Sequence, residues 1–465
     1  MTDIIVKNAT VVTVNNKREI LKDHSIAIEN DRITEIGPAN EMAQKFKGVK
    51  KEIEAVGKIV FPGFVNTHNH LFQTLLKGLG DDKVLSEWFT TMTAPSAKLL
   101  TEEAVYNAAM LGCLEGINSG TTTVLDYMYP HPVPNLSDSV IRAFKELQIR
   151  GIFGRGSVDT GIGIPQEIMQ DPGTVEKDFI RLFETYHGSE NGRIRIWLAP
   201  AAVWLATEEM LLTTWRLAQK YNTGFTIHIS ETPFDRQASA ELHGQPDMEV
   251  LQKLRITGPN VLLVHCVYLT ERDMRMARFY DMKVSHNPVS NMYLASGVAP
   301  IPRMIESGIT VGIATDGAAS NNTNDMLEVV RMTPLLHKVH TMDPTILTAA
   351  KVLEMATIDG ARAIGLEAEI GSLETGKKAD LFIYNPVLSA RSIPMNNPVS
   401  TIVYSGSEKC VETVIIDGNI LKEDSRLLVA DEEKILQNAQ KSADKLSVMA
   451  GTAKIKERPW QVLAF

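Results

Sequence analysis

A chain of 465 residues, 44% of them hydrophobic and 22% charged, is long enough to bury a sizeable core. Its formal net charge of −9 argues against nucleic acid or an anionic membrane as a partner, because both repel an acidic surface. The three cysteines, Cys113, Cys266 and Cys410, are widely spaced, which is typical of reduced thiols. Without a secretory signal or a run of about 18 apolar residues, the chain is expected to be a soluble cytoplasmic protein.

The two ends of the chain share a β-rich pattern. β-branched runs at residues 10–14 and 25–28 have counterparts at 380–384, 401–404 and 414–419. A charged, amphipathic pattern over 430–447 predicts a surface helix. We therefore expect a small β-sandwich domain assembled from residues 1–61 and 369–465, with the helix near its C-terminal end.

Residues 62–368 alternate short apolar runs with longer helical patterns, as parallel βα units do. The candidate strands are residues 63–66, 121–125, 151–154, 194–198, 224–227, 261–264, 283–285 and 310–314. The candidate helices are residues 103–117, 136–147, 173–187, 206–220 and 270–279. Eight parallel strands with intervening helices predict an α/β fold of the (β/α)₈ TIM-barrel type. A doubly wound sheet is the alternative, but no glycine fingerprint for a dinucleotide follows a strand.

Side chains that can bind a metal ion stand where these strands end, and in such a barrel the carboxyl ends of the strands face the active site. They are His68, His70, His228, Glu231, His265, His286 and Asp316. A lone buried histidine is usually a hydrogen-bonded core residue, but this joint placement favours a metal site. Alternation along a strand puts His68 and His70 on one face, so both can reach one ion. Such an ion lowers the pKa of bound water from about 15.7 to roughly 7 and supplies hydroxide.

Residues 61–70, Phe-Pro-Gly-Phe-Val-Asn-Thr-His-Asn-His, resemble the opening motif of the amidohydrolase superfamily. Other segments are similar to its chlorohydrolase/deaminase branch: 228–231, 264–266, 285–288, 315–321 and 371–381. The resemblance covers essentially the whole chain. It implies a metal-dependent hydrolase that acts on a nitrogen heterocycle.

By this resemblance, His68, His70, His228 and Asp316 would bind one divalent ion per subunit, Zn²⁺ first and Fe²⁺ as the other candidate. Members with two ions bridge them through a lysine at the end of strand 4. Residues 197–201 read Trp-Leu-Ala-Pro-Ala, without a lysine. The resemblance therefore favours a single ion, and it also implies a homo-oligomer with a dimer as the smallest unit.

The resemblance also implies the catalytic residues. Asp316 would accept the proton of the attacking water, and Glu231 would carry a proton to the ring nitrogen and to the leaving group. His265 would contact the water and the substrate, or act as a fifth ligand. A non-catalytic scaffold is disfavoured, because every ligand position is filled.

Two subgroups of the branch compete for the substrate. One deaminates S-adenosylhomocysteine and methylthioadenosine, and its ribose-binding Glu, His and loop Arg correspond here to Ala97, Ala201 and the arginine-free loop 161–166. Of the polar residues associated with that subgroup, only Arg155 is present in this chain. Without partners for the ribose hydroxyls, nucleoside specificity loses its physical basis.

The other subgroup resembles melamine deaminase and atrazine chlorohydrolase, with local matches at residues 352–371 and 460–465. The chlorohydrolase has Asn where this chain has Gly317, which favours deamination over dechlorination. We therefore predict hydrolytic deamination of an amino-substituted purine, pterin, pyrimidine or triazine, with the nucleoside deaminase and the triazine chlorohydrolase as alternatives. The candidate pocket residues are Gln73, Trp88, Met92, Asp235 and Ser320.

Overall fold

Two sheets, built from different parts of the chain, make up the β structure of the computed structural model, which describes residues 2–457. The N-terminal strands are β1 (Ile4–Val12), β2 (Ile20–Glu29), β3 (Arg32–Pro38), β4 (Lys51–Glu54) and β5 (Ile59–Pro62). The strands of the middle region are β6 (Phe64–Asn69), β7 (Thr121–Met128), β8 (Arg150–Ser157), β9 (Ile194–Pro200), β10 (Phe225–Ile229), β11 (Val261–His265), β12 (Lys283–His286) and β13 (Val311–Ile313). The C-terminal strands are β14 (Leu381–Tyr384), β15 (Val411–Ile416), β16 (Asn419–Glu423) and β17 (Arg426–Leu427).

Strands β6 to β13 pair in chain order, each parallel to the next. The two outer strands of this series meet across a seam, where the backbone N–H of Asp316 donates to the carbonyl of His68 at 3.1 Å. The Thr67 hydroxyl also donates to the carbonyl of Ile313 at 3.2 Å. This nearly closed eight-stranded barrel confirms the predicted (β/α)₈ fold, and the seam brings two predicted metal ligands side by side.

Helices follow the barrel strands and cover the outside of the barrel. The helices are α1 (Ala39–Lys45), α2 (Leu85–Trp88), α3 (Ala94–Ala97), α4 (Glu102–Asn118), α5 (Leu136–Glu146), α6 (Pro172–Tyr186), α7 (Glu208–Lys220), α8 (Pro233–His243), α9 (Asp247–Lys253), α10 (Glu271–Phe279), α11 (Pro288–Tyr293), α12 (Ile301–Glu306), α13 (Met326–Thr341), α14 (Ala349–Ala356), α15 (Ile358–Ala363), α16 (Pro398–Ser405) and α17 (Glu432–Met449). Within residues 2–457, no helix has both the length and the apolar character that a membrane crossing needs.

The strands of the two termini hydrogen-bond into one nine-stranded mixed sheet. Strand β14 pairs antiparallel with β5, which joins the C-terminal strands to the N-terminal ones. The predicted strand at 401–404 is wrong, because these residues lie in helix α16. Its β-branched residues are outweighed by a strong helix start: Pro398 occupies the first turn and the Asn397 side chain accepts from the Ser400 N–H.

Buried ion pairs connect the barrel to the terminal sheet. Arg150, at the start of β8, donates to both carboxylate oxygens of Asp380 at 2.7 and 3.0 Å. Lys378 donates to Asp417 at 2.8 Å, and Asp417 also lies 3.4 Å from the Arg150 guanidinium. All four side chains are almost inaccessible to water, so each charge depends on its partners for compensation.

Candidate active site

A cavity of about 640 Å³ opens at the carboxyl ends of the barrel strands. Five of the strand-end residues line it: His70, His228, Glu231, His265 and Asp316. This is the end at which (β/α)₈ enzymes place their active sites. Residues from β6, β10, β11 and β13, far apart in sequence, therefore meet around one space.

The predicted ligands form a tight, water-shielded cluster. Asp316 Oδ1 lies 3.4 Å from His68 Nε2 and 3.5 Å from His70 Nε2. His70 Nε2 lies 3.3 Å from His228 Nε2. Ligand atoms of His68, His70 and Asp316 all fall within 4.8 Å of one another, as do those of His68, His228 and His265.

Backbone carbonyls orient two of these imidazoles. His70 Nδ1 lies 2.6 Å from the Tyr127 carbonyl oxygen, and His228 Nδ1 lies 2.5 Å from that of Ala201. A carbonyl oxygen can only accept, so Nδ1 carries the proton and Nε2 presents its lone pair to the cluster. Two lone pairs that face each other across 3.3 Å repel unless a cation lies between them.

Protonation states in the cluster also suit a cation. Burial lowers the pKa of His68 to about 3, so its imidazole is neutral at physiological pH. Neither ring nitrogen of His68 has a hydrogen-bond partner in the described chain, which is rare for a buried polar atom. Although burial opposes ionisation of Asp316, the neighbouring imidazoles of His68, His265 and His70 hold the pKa of its carboxyl well below the usual range. Neutral imidazoles and one carboxylate are the donor set that a divalent ion such as Zn²⁺ takes, so the residues present fit the implied ion.

Left-handed backbone conformations occur at three of the strand ends that form this site. Ser230, His265 and Asp316 have φ values of 47°, 70° and 65°, which cost non-glycine residues about 1–3 kcal/mol each. Asp247 helps to hold the first of them, because its carboxylate accepts from the Ser230 N–H at 2.7 Å. Strain of this kind is typical of functional sites, where the surrounding contacts impose it.

Glu231 is held as a proton donor beside the cluster. The Ser296 hydroxyl donates to its Oε1 at 3.0 Å, and its Oε2 lies 3.6 Å from His265 Nε2. Burial, followed by the charge of Asp316, raises the pKa of Glu231 to about 8. The carboxyl is therefore protonated at neutral pH and can deliver a proton inside the cavity.

Four of the five predicted pocket residues line the cavity: Gln73, Trp88, Asp235 and Ser320. Met92 is fully buried and is not among the residues that line it. Trp88 offers only its ring to a ligand, since its indole N–H donates to the Ala319 carbonyl at 2.8 Å.

The carboxyl of Asp235 caps a helix and also lines the cavity. Its Oδ2 accepts from the Thr232 N–H at 2.8 Å and closes the capping box of α8. Burial, followed by the charge of Glu231, raises the pKa of Asp235 to about 7. This carboxyl can therefore either donate to or accept from a polar substrate atom.

The outer part of the cavity is apolar. We call it the outer chamber and define it by Leu85, Phe89, Ile162, Trp204, Leu205 and Phe234. The rings of Trp204 and Phe234 meet edge to face with centroids 5.2 Å apart. Among residues 2–457, no lysine or arginine lines the cavity.

The positions weighed for ribose binding agree with this apolar character. Ala97 does not line the cavity, Ala201 lines it without a polar side chain, and loop 161–166 contributes Ile162, Gly163 and Ile164. Arg155 is buried elsewhere and donates to Asp178 at 2.6 Å and to Gln170 at 2.7 Å. The local match at residues 460–465 lies outside the described residues.

The sequence assigned no role to Ser296, Asn287 or Asn291, although Asn287 lies in the family-like segment 285–288. Both asparagines approach the ring of His265, at 3.3 and 3.0 Å from its Nδ1. The available signal was the polar segment 285–296, which begins within strand β12 and carries five serine and asparagine side chains within twelve residues. The residues of the outer chamber gave no such signal, because they come from loops that only the fold brings together.

Comparisons with known proteins agree with this architecture. The model of the amidohydrolase family matches residues 59–421. The 5'-deoxyadenosine deaminase of Methanobrevibacter smithii is 40% identical over 450 residues, which cover 96% of this chain and 99% of that protein.

Solved structures share the fold as well. An adenosine deaminase from Xanthomonas campestris with bound zinc superposes with a TM-score of 0.88 at 27% identity, over 96% of this chain and 99% of that one. The atrazine chlorohydrolase of Arthrobacter aurescens, complexed with zinc, gives a TM-score of 0.89 at 25% identity, over 95% of this chain and all of that one. Both comparisons span the barrel and the terminal sheet together.

Proposed function

The chain belongs to the amidohydrolase family, and on that premise we propose that it is a metal-dependent deaminase that hydrolyses an amino group from a nitrogen heterocycle. The observation that carries the proposal is the arrangement of two unlike carboxyls in one cavity. Asp316 is ionised among imidazoles, and Glu231 is protonated beside His265. Two carboxyls whose pKa values are pushed apart are the mark of an acid–base pair.

One Zn²⁺ per subunit is the proposed ion, held by His68, His70, His228 and Asp316. Zinc in both structural neighbours supports this choice. The absence of a lysine at the end of β9 supports a single ion. When bound, the ion lowers the pKa of water to roughly 7 and so supplies hydroxide at neutral pH.

The protein's own groups manage the protons of the reaction. Asp316 Oδ2, which faces His265 at 3.8 Å, accepts the proton of the attacking water. Glu231 donates its proton to the ring nitrogen beside the carbon that bears the amino group. Asp316 then passes the proton it accepted to the amino nitrogen, the C–N bond breaks and ammonia leaves, while the remaining hydroxyl proton returns to Glu231 and the ring carbon becomes a carbonyl. The Ser296 hydroxyl holds the Glu231 carboxyl in place.

An amino-purine of the adenosine type is the first substrate candidate, because the relative that is 40% identical is named a 5'-deoxyadenosine deaminase. An amino-substituted triazine is the second. The apolar outer chamber and the missing ribose partners favour it, as does the likeness to an atrazine chlorohydrolase.

Gly317 supports deamination over dechlorination. A Cβ atom at this position would lie 2.0 Å from Gln73 Oε1 and 3.0 Å from His70 Cβ. A side chain there would displace Gln73, so the glycine and the placement of Gln73 depend on each other. The asparagine of the chlorohydrolase pattern would therefore require the end of the Gln73 side chain to move out of its present place.

A substrate panel tests the function. Zinc-loaded protein is incubated with 5'-deoxyadenosine, adenine, guanine, melamine and a chlorotriazine, and both ammonia and chloride are measured. We expect ammonia from at least one amino-heterocycle and no chloride. Release of chloride without ammonia would show that the protein dechlorinates its substrate and does not deaminate it. Release of neither product from any compound, with zinc bound, would refute the proposal.

Methylthioadenosine and S-adenosylhomocysteine form a matched pair for the outer chamber. They share the purine and the ribose, but only the second places a charged amino-acid group beyond them. Because burying an unpaired charge costs several kcal/mol, we expect kcat/KM for methylthioadenosine to be higher by roughly tenfold or more. Equal values, or a preference for S-adenosylhomocysteine, would show that the chamber does not select against charge.

A further inference from the structure

One side of the cavity is closed by a lightly packed stretch of chain, residues 78–93, which we call the covering segment. Six of its side chains line the cavity: Val84, Leu85, Ser86, Trp88, Phe89 and Thr90. Of these six only Trp88 is buried, and Val84 is 56% exposed. A segment with so few buried apolar contacts depends on its hydrogen bonds for a fixed position.

The Asp81 carboxylate ties the start of the covering segment to two other loops. The hydroxyl of Tyr293, the last residue of α11, donates to Asp81 Oδ1. Asn322 Nδ2, in the loop after β13, donates to the same oxygen at 3.1 Å. The N–H of Gly78 donates to Asn322 Oδ1 at 2.7 Å. Because a backbone N–H only donates, it fixes the amide oxygen toward Gly78 and leaves the amide nitrogen for Asp81.

The proton of the stronger contact belongs to Tyr293. Burial, followed by the hydrogen bond to Asp81, raises the pKa of the Tyr293 hydroxyl well above its ordinary value. The hydroxyl is therefore a donor at neutral pH. Hydrogen bonds to an ionised carboxylate are stronger than those between neutral groups, so this contact is a substantial attachment of the covering segment.

Both partners of Asp81 belong to loops that line the cavity themselves. Residues 294–296 line it and directly follow Tyr293. Ser320 lines it and lies two residues before Asn322. One carboxylate thus joins the loops that follow β6, β12 and β13 at the rim of the cavity.

A second attachment lies further along the covering segment. The indole N–H of Trp88 donates to the Ala319 carbonyl at 2.8 Å. A Cβ atom at Gly80 would lie 2.6 Å from the Ala319 oxygen and 2.7 Å from Trp88 Cδ1, so the glycine permits this close approach. Residues 84–85, which line the cavity, lie between this attachment and the one at Asp81. Loss of either attachment would therefore free them on one side.

We propose that Tyr293 is a positioning residue that, through Asp81, holds the covering segment across the cavity and so sets the affinity of the site for its substrate. This inference rests on the proposed function. The cavity-lining side chains of the covering segment include no ionisable group, so they contact the substrate without taking part in proton transfer. Contacts that are equally strong in the ground state and the transition state affect KM and leave kcat unchanged.

Tyr293→Phe tests the attachment, because phenylalanine keeps the ring and removes the hydroxyl. A hydrogen bond to a charged group is lost, so we expect KM to rise about tenfold, with kcat within twofold of the unmodified value. Steady-state ammonia release from the best substrate of the panel measures both constants.

Tyr186→Phe is the matched control. The Tyr186 hydroxyl donates to Asp138 Oδ1 at 2.7 Å, between α6 and α5, and neither residue lines the cavity. This variant loses the same kind of tyrosine–aspartate hydrogen bond away from the covering segment. Its KM and kcat should equal those of the unmodified protein.

Hydrogen exchange tests the placement of the covering segment without turnover. Zinc-loaded protein is transferred to D₂O, and the uptake of deuterium by residues 78–93 is followed by mass spectrometry. In Tyr293→Phe we expect these amides to exchange about tenfold faster or more, because local opening costs less once the attachment is lost. In Tyr186→Phe they should exchange at the unmodified rate.

Three results would overturn the inference. They are unchanged exchange over residues 78–93 in Tyr293→Phe, a KM within twofold of the unmodified value, and a fall in kcat at constant KM, which would assign Tyr293 to the chemical step. If no compound of the panel releases ammonia, the proposed function fails, whereas the exchange measurement still decides whether Tyr293 holds the covering segment.

Discussion

Replacement of Glu231 by glutamine is expected to lower kcat by roughly 100-fold or more while zinc remains bound. Glutamine keeps the shape of the side chain and can still accept from the Ser296 hydroxyl, which donates at 3.0 Å. It cannot transfer a proton to the ring nitrogen. A factor of 100 corresponds to about 2.7 kcal/mol of transition-state stabilisation, and steady-state ammonia release measures it.

The matched control is Asp325→Asn. Asp325 is another shielded carboxyl whose pKa burial raises to about 7, and it caps α13 by accepting from the Leu327 N–H at 2.7 Å. Asparagine caps equally well, so this variant should keep full activity.

The pH dependence of kcat/KM tests the same proton transfer from Glu231 by a second measurement. Because burial raises the pKa of Glu231 to about 8 and the protonated form is the active one, kcat/KM should decline as the pH rises through this pKa. The decline should be absent from the glutamine variant. A glutamine variant with near-native turnover would remove Glu231 from the mechanism.

Removal of the metal ion is expected to abolish turnover and to lower thermal stability. Without the ion, water regains a pKa of about 15.7, roughly nine units above its bound value. A ligand present at 1,000 times its Kd stabilises the folded state by about 4.1 kcal/mol, so chelation should lower Tm. Activity and Tm should both return when Zn²⁺ is restored.

Histidine variants localise this effect. His228→Gln should bind zinc more weakly and lose activity, because the lone pair of His228 Nε2 faces that of His70. His24→Gln, in strand β2 of the terminal sheet, should leave zinc content, Tm and activity unchanged. Full activity in chelated, metal-free protein would contradict the metal-dependent mechanism.

The barrel could be predicted because its signals are local. Each strand is a short apolar run followed by a helical pattern, and alternation alone places His68 and His70 on one face. The prediction failed at 401–404, where the helix start at Asn397 and Pro398 outweighed β-branched composition. A scale of β propensity describes residues 401–404 one by one and does not include the capping contact of Asn397, so it cannot predict that the helix forms.

Other features of the site depend on contacts that no sequence pattern records. The carbonyls of Tyr127 and Ala201 orient two ligands through backbone atoms, which every residue carries. The asparagines that contact His265 lie within and just after a motif that sequence comparison recognised, but their role depends on distance. Homo-oligomeric assembly and a cytoplasmic location stay predictions.

Hydrolytic deamination itself can be tested by turnover in H₂¹⁸O, with the product of the best substrate from the panel examined by mass spectrometry. We predict that the product loses the amino nitrogen as ammonia and gains one ¹⁸O at the same ring carbon, only when zinc is bound. An unlabelled product, or labelled product formed equally well by metal-free protein, would contradict the account.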